Sequence, residues 1–242
     1  MHTVKNAVIM AAGKGERLRP VTLSTPKPLI RVNGRRMADT IISALKENGI
    51  HEIYVVTGYM KEQFGELEAR TPGLTLIENP YWESCNNISS LYAAADVLGD
   101  TMILDGDQMI LDPGALSPGF ELSGYNAVRV TAHTDEWVMS AENGIVTGCS
   151  RTGGDSGWQL YSISRWSAGD SAKLREFVRY EFETAGNRHL YWDDIPVFRY
   201  PGEFRLGIRE MRADAVREID TLEELAEIDK SYSRYLLQED EI

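Results

Sequence analysis

An apolar run that passes directly into a glycine loop constrains the fold of this chain more than any other stretch; it covers residues 7–29, AVIMAAGKGERLRPVTLSTPKPL. Its first four residues, Ala7–Met10, are typical of a buried parallel strand. The loop has almost no side-chain bulk at three positions: Ala12, Gly13 and Gly15. Backbone N–H groups can therefore approach a ligand closely and form a cradle for phosphate. Arg17 and Lys27 add cations among prolines, so the stretch predicts a strand followed by a polyphosphate-binding loop.

Two common phosphate-binding motifs do not fit this loop. A Walker P-loop ends in Gly-Lys-Ser/Thr, which the loop lacks, and the GxGxxG dinucleotide fingerprint fails at Leu18. The whole string G-x-G-x-R-L-x-P…T-P-K-P-L instead resembles the signature of the nucleotidyltransferases that make sugar nucleotides and CDP-alcohols. A plain turn is the alternative interpretation of the glycines alone.

Apolar runs alternate with helical patterns from residue 4 to residue 104. The predicted strands are Val4–Met10, Glu52–Thr57, Leu74–Glu78 and Thr101–Leu104, and the predicted helices are Asp39–Asn48, Lys61–Arg70 and Ser89–Leu98. This alternation predicts an α/β fold with a doubly wound, mostly parallel, Rossmann-like sheet. Ligands of such sheets bind at the carboxyl ends of the strands. We therefore expect the glycine loop and Asp105-Gly106-Asp107 to share one crevice.

The pattern changes after residue 112, where prolines and glycines interrupt the chain repeatedly. Short β-like runs and two helical segments follow: Ala127–Ala132, Gly144–Cys149, Trp158–Ile163, Ser171–Thr184 and Thr221–Tyr235. Thr221 and Glu224 form a capping-box pattern at the start of the last helix, and residues 238–242 are expected to fray. We predict a single domain with three parts: a nucleotide-binding half (1–112), a small antiparallel lobe (about 113–210), and a closing strand with a C-terminal helix (211–242).

Composition and charge limit the partners of the chain. The 242 residues carry a net charge of −12, which argues against a nucleic-acid partner. Residues 1–36 hold eight cations and one anion, a charge of +7, so the remainder carries −19. Such a basic segment on an acidic protein can attract a small polyanion. Without an apolar run of about 18–20 residues, a secretory signal pattern or a disulfide pattern, the sequence predicts a cytoplasmic enzyme that does not insert into a membrane.

Nucleotidyl transfer requires positive charge where the phosphates react, and usually Mg²⁺. Arg17 and Lys27 suit the charge-stabilising, catalytic role, because arginine grips phosphate oxygens in pairs and lysine acts as a compact charge. Asp107 at a strand end and Asp220 before the last helix are the candidate Mg²⁺ ligands. The alternatives are a turn residue for Asp107 and a helix cap for Asp220.

Further strings resemble the bacterial CTP:phosphocholine cytidylyltransferases. They lie in the same order and at similar spacing in Gly58–Phe64, Asn86–Tyr92, Glu136-Trp137, Leu190–Asp193 and Glu218–Asp220. The resemblance implies that Ala12, Gly13, Tyr59 and Asn86 lie near CTP, that Asp107 and Asp220 bind Mg²⁺, and that Trp137, Tyr191, Asp193 and Glu218 surround the choline headgroup. Gly15 in the loop and Asp105 at the strand end complete the predicted nucleotide-binding set.

The proposed headgroup residues agree with the chemistry of choline. A quaternary ammonium has no N–H to donate, so its site needs aromatic faces and nearby carboxylates. Two stretches combine these residue types, Glu136-Trp137 and Tyr191–Asp194. The alternative is that these aromatic residues only fill the core.

The sequence leaves several acceptors open. We predict transfer of CMP from CTP to phosphocholine, with phosphoethanolamine or an aminoalkylphosphonate as close alternatives, since a primary ammonium prefers carboxylates to an aromatic cage. A sugar-1-phosphate enzyme generally carries a Glu-Lys-Pro string that this chain lacks, and a non-catalytic nucleotide sensor should have lost Arg17, Lys27 or a metal carboxylate. The glycine-rich stretch Arg151–Gly157 departs from the family, and the sequence does not fix the oligomeric state.

Overall fold

A computed structural model describes residues 1–236, and its centre is a mixed nine-stranded sheet. The strands are β1 (Asn6–Ala11), β2 (Glu52–Thr57), β3 (Leu74–Glu78), β4 (Thr101–Asp105), β5 (Gly124–Val130), β6 (Val138–Glu142), β7 (Ile145–Ser150), β8 (Gly157–Trp166) and β9 (Gly207–Glu210). Their order across the sheet is β5-β9-β7-β6-β8-β4-β1-β2-β3.

The first four strands form the parallel part of the sheet, in the order β4-β1-β2-β3. All six residues of β1 are buried, as expected for a strand covered on both faces. Alternate β1 residues belong to two different cores: Ile9 packs in the cluster that contains Ile41 of the first helix, and Val8 in the one that contains Leu91 of the third. The predicted alternation of strands and helices is confirmed here, with shifts of one or two residues at some ends.

Six α-helices accompany the sheet in the described residues: α1 (Met37–Glu47), α2 (Gly65–Arg70), α3 (Ile88–Ala93), α4 (Ala168–Arg179), α5 (Leu222–Ile228) and α6 (Ser233–Leu236). Several predicted helices are shorter in their α form and continue in tighter or wider turns. The 3₁₀ turn Lys61–Phe64 precedes α2, another at Ala95–Val97 follows α3, and the π turn Tyr180–Thr184 extends α4.

The prediction of a mostly parallel sheet is wrong. Five of the nine strand pairings are antiparallel, and the later strands continue the same sheet, because β8 pairs antiparallel with β4 through Ile163 and Leu104. Strand β5 pairs with both β8 and β9, so β5, β8, β6, β7 and β9 form a closed ring. The sequence also gave no indication of β6, since its five residues include Ser140 and Glu142 and form no apolar run.

Three two-stranded pairs lie outside the main sheet. They join His2–Thr3 to Gly119–Phe120, Arg31–Val32 to Arg35–Arg36, and Gln108–Ile110 to Val216–Glu218. The third pair positions the functional residues, because Gln108 lies opposite Glu218 and thereby brings two distant segments of the chain together. Asp107 and Asp220 flank this pair.

The predicted continuous helix Thr221–Tyr235 is wrong in its second half. Helix α5 ends at Ile228 because Asp229 has an extended backbone, with φ −127° and ψ 102°. The Asp229 carboxylate accepts hydrogen bonds from the backbone N–H groups of Ser231 and Asn33, which starts a new turn at Lys230–Tyr232. The predicted frayed end, 238–242, lies outside the described residues. Within residues 1–236 no helix is long and apolar enough to cross a membrane.

Candidate active site

A continuous cleft runs along the carboxyl ends of β1 and β4. It consists of three adjoining cavities of about 130, 210 and 330 Å³, and Asn87 lines all three. The smallest lies between the glycine loop and Trp82, the middle one between the loop and Lys27, and the largest beside Trp137. The cleft therefore has room for a nucleotide and a second small molecule end to end.

The glycine loop shapes the middle of the cleft. A Cβ atom at Gly13 would meet no protein atom within 4 Å, although Gly13 lines two of the cavities, so a side chain there would occupy cleft space. Gly15 has φ +62°, and its Cβ would lie 3.1 Å from Lys27 and Thr22. The loop thus requires glycine at one position for access and at the other for backbone conformation and packing.

Lys27 holds the two predicted metal carboxylates together. Its Nζ donates to Asp107 Oδ2 at 2.9 Å and to Asp220 Oδ1 at 2.7 Å. Arg17 Nη2 lies 3.1 Å from the same Asp220 oxygen, with 68% of its side chain exposed. The structure therefore brings all four predicted catalytic and metal residues into one cluster. Arg17 is the accessible cation of this cluster, whereas Lys27 is buried.

The charges in this cluster stabilise one another. Burial disfavours the ammonium of Lys27, but Asp107 and Asp220 outweigh it and raise the pKa of Lys27. Burial likewise opposes ionisation of Asp220, but Lys27 and Arg17 hold its pKa below the usual range. Lys27 and Asp220 are thus charged at neutral pH.

Carboxyl groups dominate the largest cavity. Six acidic residues line it together with a single cation, Arg17: Asp105, Asp107, Glu136, Asp193, Glu218 and Asp220. Burial, with repulsion from nearby carboxylates, raises the pKa of Asp193 to about 7 and that of Glu218 to about 8. Burial raises the pKa of Asp105 well above its usual value, and repulsion from Asp107 and Asp193 raises it further. A cation in this cavity would relieve the repulsion among these groups.

Two aromatic side chains form a wall of the same cavity. The rings of Trp137 and Tyr191 lie 5.9 Å apart and nearly perpendicular, and both line the cavity. Tyr191 is 49% exposed, so it is not a core residue. The adjacent Trp192, at 1% exposed, is the one that fills the core.

Comparison with known proteins is consistent with this arrangement. A profile of the MobA-like NTP transferase domain matches residues 7–181. The chain belongs to the MobA-like NTP transferase family. A 2-aminoethylphosphonate cytidylyltransferase of Lancefieldella rimae is 40% identical over 236 residues, which cover 96% of this chain and 95% of that protein. A choline-phosphate cytidylyltransferase of Streptococcus pneumoniae is 29% identical over 224 residues, covering 93% and 96%.

A solved structure of a family relative extends this similarity to the fold. The CTP:phosphocholine cytidylyltransferase from Streptococcus pneumoniae superposes with a TM-score of 0.85 at 28% identity, covering 95% of this chain and 99% of that one. This MobA-like transferase therefore has the α/β nucleotidyltransferase fold, and the prediction that it is a nucleotidyltransferase is confirmed. The Lancefieldella and Streptococcus relatives both span nearly the whole chain and are named as cytidylyltransferases with two different acceptors.

Of the predicted nucleotide residues, Asn86 lines the cleft of this MobA-like transferase and Tyr59 does not. Tyr59 lines none of the three cavities; its hydroxyl donates to the Thr22 carbonyl at 2.8 Å, and its ring packs against Trp82 at 5.7 Å. Tyr59 therefore binds the loop outside the cavities. Asn86 lines only the smallest cavity and donates through Nδ2 to the His189 carbonyl at 3.2 Å.

Asn87 and Trp82 are two of the cleft-lining residues that sequence reasoning missed. Asn87 contacts every part of it, and its Oδ1 accepts the backbone N–H of Trp192 at 2.8 Å. The sequence pointed to the segment that contains Asn87, Asn86–Tyr92, but nothing in it distinguished Asn87 from Asn86. Trp82 forms a wall of the smallest cavity, and the Lys14 ammonium lies 5.4 Å from its ring centroid.

The donor set suits a hard divalent cation. Within residues 1–236 no cluster of three or more His, Cys, Asp and Glu side chains is arranged around one metal position. Two carboxylates, of Asp107 and Asp220, do converge on one cation, the ammonium of Lys27. Mg²⁺ is commonly bound by one or two carboxylates with substrate phosphates and waters, so this pair fits it.

Proposed function

We propose that this MobA-like transferase is a CTP-dependent cytidylyltransferase whose acceptor is 2-aminoethylphosphonate. The observation that carries the proposal is the largest cavity of the cleft, where four carboxyl groups besides the pair assigned to Mg²⁺, and two aromatic rings, line the space for the acceptor. The 40% identical relative, which spans almost the entire chain, bears the name of this activity.

The acidic lining favours a primary ammonium. Such a group donates three N–H hydrogen bonds, which the carboxyl groups of Asp193 and Glu218 can accept, and its charge favours their ionised form. A quaternary ammonium donates none and depends on aromatic faces, each contributing about 0.5–2 kcal/mol when well placed. Trp137 and Tyr191 are too few to surround such a headgroup. We therefore rank the aminoalkylphosphonate above phosphocholine, the acceptor that the sequence first indicated.

The reaction follows from the order of the cleft. CTP would lie along the glycine loop with its base towards Trp82 and Asn86, and its α-phosphate near Arg17 and Lys27. A phosphonate oxygen of the acceptor attacks the α-phosphorus, and the bond from that phosphorus to the oxygen bridging it to the β-phosphate breaks. Diphosphate leaves with the electron pair, and the product is CMP joined to the acceptor through a mixed phosphonic–phosphoric anhydride.

The chain contributes positioning and charge to this step. Arg17, exposed beside Asp220, is placed to grip an oxygen that gains charge as the bond breaks. Asp107 and Asp220 would hold Mg²⁺, which supplies charge neutralisation at the phosphates when it is bound. The ammonium of Lys27 would then be released from one or both carboxylates and become available to the triphosphate.

Phosphocholine is the second candidate acceptor. The perpendicular pair of Trp137 and Tyr191 offers some aromatic surface for a quaternary headgroup. The solved relative with the TM-score of 0.85 also bears the name of the phosphocholine enzyme.

A product assay tests the proposal directly. The purified protein is incubated with Mg²⁺, each of the four NTPs in turn, and one acceptor: 2-aminoethylphosphonate, phosphoethanolamine, phosphocholine or glucose 1-phosphate. We expect diphosphate release and a CMP adduct with CTP and 2-aminoethylphosphonate at the highest kcat/KM. A higher kcat/KM for phosphocholine would make it the acceptor instead, and turnover of glucose 1-phosphate alone would refute an ammonium-bearing acceptor.

A further inference from the structure

Arg151 belongs to the glycine-rich stretch 151–157 that the reaction leaves without a role. Its guanidinium carbon lies 4.1 Å from the centroid of the Phe198 ring and 5.4 Å from that of Trp137. The two rings are themselves 5.3 Å apart and nearly perpendicular. This aromatic pair therefore already holds a cation, and that cation is part of the chain.

The same guanidinium also connects to the second aromatic wall. Arg151 Nη2 forms an ion pair with Asp194 Oδ1, and Asp194 is 2% exposed. The other oxygen of Asp194 accepts the backbone N–H of Tyr191 at 3.0 Å. Arg151 thus contacts the Trp137 ring directly and is connected to Tyr191 through the buried carboxylate of Asp194. Arg151 itself does not line the cavity.

The glycines of this stretch explain how Arg151 reaches that position. Thr134 and Gly154 exchange two backbone hydrogen bonds of 3.1 and 3.0 Å, which fasten the stretch to the loop that precedes Trp137. Gly153 has φ +76°, and a Cβ atom there would lie 1.8 Å from the Thr134 carbonyl oxygen. Only glycine permits this approach, so the backbone that carries Arg151 is fixed against the Trp137 loop.

We propose that Arg151 determines acceptor specificity by holding a fixed positive charge, from outside the cavity, against the Trp137 ring on which a quaternary ammonium would depend. The inference rests on the proposed function, since it concerns the ammonium end of the same cavity. A second cation near the Trp137 ring is repelled by the first, and the ring is already polarised towards the guanidinium. A primary ammonium loses less, because its main partners are the carboxylates of the cavity.

Replacing Arg151 by Gln tests this inference. Gln can still hydrogen-bond to Asp194 but leaves the two rings without a cation. We expect the ratio of kcat/KM for 2-aminoethylphosphonate to that for phosphocholine to fall about five- to thirty-fold. The change should appear mainly as a lower KM for phosphocholine, with KM for CTP unchanged.

Two further variants keep the test interpretable. Arg151→Lys retains the charge beside Asp194 but lacks the flat guanidinium, so its ratio should lie between those of the wild type and Arg151→Gln; it also serves if Arg151→Gln fails to fold. The matched control is Arg129→Gln, because Arg129 makes the same kind of contact with Trp158, at 5.1 Å, and neither residue lines the cavity. Its ratio should equal that of the wild type.

The outcomes separate this inference from the proposed function. An unchanged ratio in both Arg151 variants, or an equal rise of KM for both acceptors, would overturn the role of Arg151 while leaving the cytidylyltransferase activity in place. Wild-type protein that turned over neither ammonium acceptor would overturn both.

Discussion

Lys27 links two carboxylates that lie 113 positions apart in the sequence, Asp107 and Asp220, through a single ammonium group. The sequence identified these three residues by their motifs, but it predicted Lys27 as a cation for the triphosphate. In the structure the same group neutralises the two carboxylates. The Lys27 ammonium can serve both the carboxylates and the triphosphate if a divalent ion takes its place between the carboxylates when substrates bind.

Removal of the Lys27 ammonium is expected to impair turnover strongly. Lys27→Ala should lower kcat by about two to three orders of magnitude, typical for the loss of one positioned charge stabiliser. Lys5→Ala is a suitable control, because Lys5 is 75% exposed and pairs with Asp100 away from the cleft. Steady-state kinetics of the folded variants check this prediction, and near wild-type turnover in Lys27→Ala would remove the residue from the mechanism.

The raised pKa of Asp193 predicts a pH-dependent affinity for the acceptor. Its carboxyl ionises as the pH rises through about 7, and the ionised form binds an ammonium more tightly. The Kd of 2-aminoethylphosphonate should therefore fall between pH 6 and pH 8, as measured by calorimetry. Asp193→Asn, which cannot ionise, should lose this component and retain those of Glu218, whose pKa is raised to about 8, and of the phosphonate itself. Parallel pH profiles for the two proteins would contradict the assignment.

At the scale of elements, the start of α5 separates structural from functional side chains. Thr221 is the N-cap, and its side chain accepts the backbone N–H of Glu224 while Glu224 accepts that of Thr221. The carboxylate of the preceding Asp220 is bound to Lys27 and Arg17. Asp220 is therefore not the helix cap, and its carboxylate is directed into the cleft.

Substitutions of the neighbouring residues Thr221 and Asp220 should affect different properties, the first stability and the second Mg²⁺-dependent turnover. Thr221→Ala should cost about 0.5–2 kcal/mol of unfolding free energy through the lost cap, with the Mg²⁺ dependence of turnover retained. Asp220→Asn leaves the cap in place and should abolish Mg²⁺-dependent turnover, and so should Asp107→Asn. Denaturant unfolding and Mg²⁺ titrations of activity distinguish them. An unaltered Mg²⁺ titration in Asp220→Asn would exclude that residue as a metal ligand.

At the scale of the whole molecule, the parts that were predictable are those with local signals. Each parallel strand of β1–β3 is followed by its own helix, and the glycine loop and Asp105-Gly106-Asp107 follow strand ends. The pairing of β8 with β4 and the closure of the ring by β9 join strands that are far apart in the sequence. No local sequence pattern predicts such pairings. The contacts of Arg151 and Asn87 depend on side-chain geometry in the same way.

The positive charges of residues 1–36 are largely compensated by ion pairs in the folded chain. Six of its eight cations form ion pairs: Lys5, Lys14, Arg17, Arg19, Lys27 and Arg36. Five of these six cations pair with acidic residues well beyond residue 36, such as Glu83 and Asp220. Folding therefore leaves less excess positive charge at the cleft than the sequence suggested, and Arg17 is its main accessible cation.

The continuous sheet predicts cooperative unfolding of the whole chain. Strand β8 pairs with β4 of the parallel part and with β5 and β6 of the ring, so each part loses the β8–β4 pairing when the other unfolds. Scanning calorimetry should show one transition with equal calorimetric and van't Hoff enthalpies. CTP with Mg²⁺ should raise the temperature of this single transition. Two resolved transitions, with only one shifted by CTP, would show that the nucleotide half and the ring unfold separately.

Closure of the ring has a consequence for self-association. An open sheet has two edge strands whose free N–H and C=O groups can pair with another molecule, whereas the ring leaves β3 as the remaining edge of the main sheet within residues 1–236. On β3, the backbone N–H of Leu76 is bound by the Glu68 carboxylate at 2.9 Å, and Glu78 pairs with Lys61. The fold therefore offers few sites for strand-to-strand aggregation, and those on β3 are guarded by charged side chains.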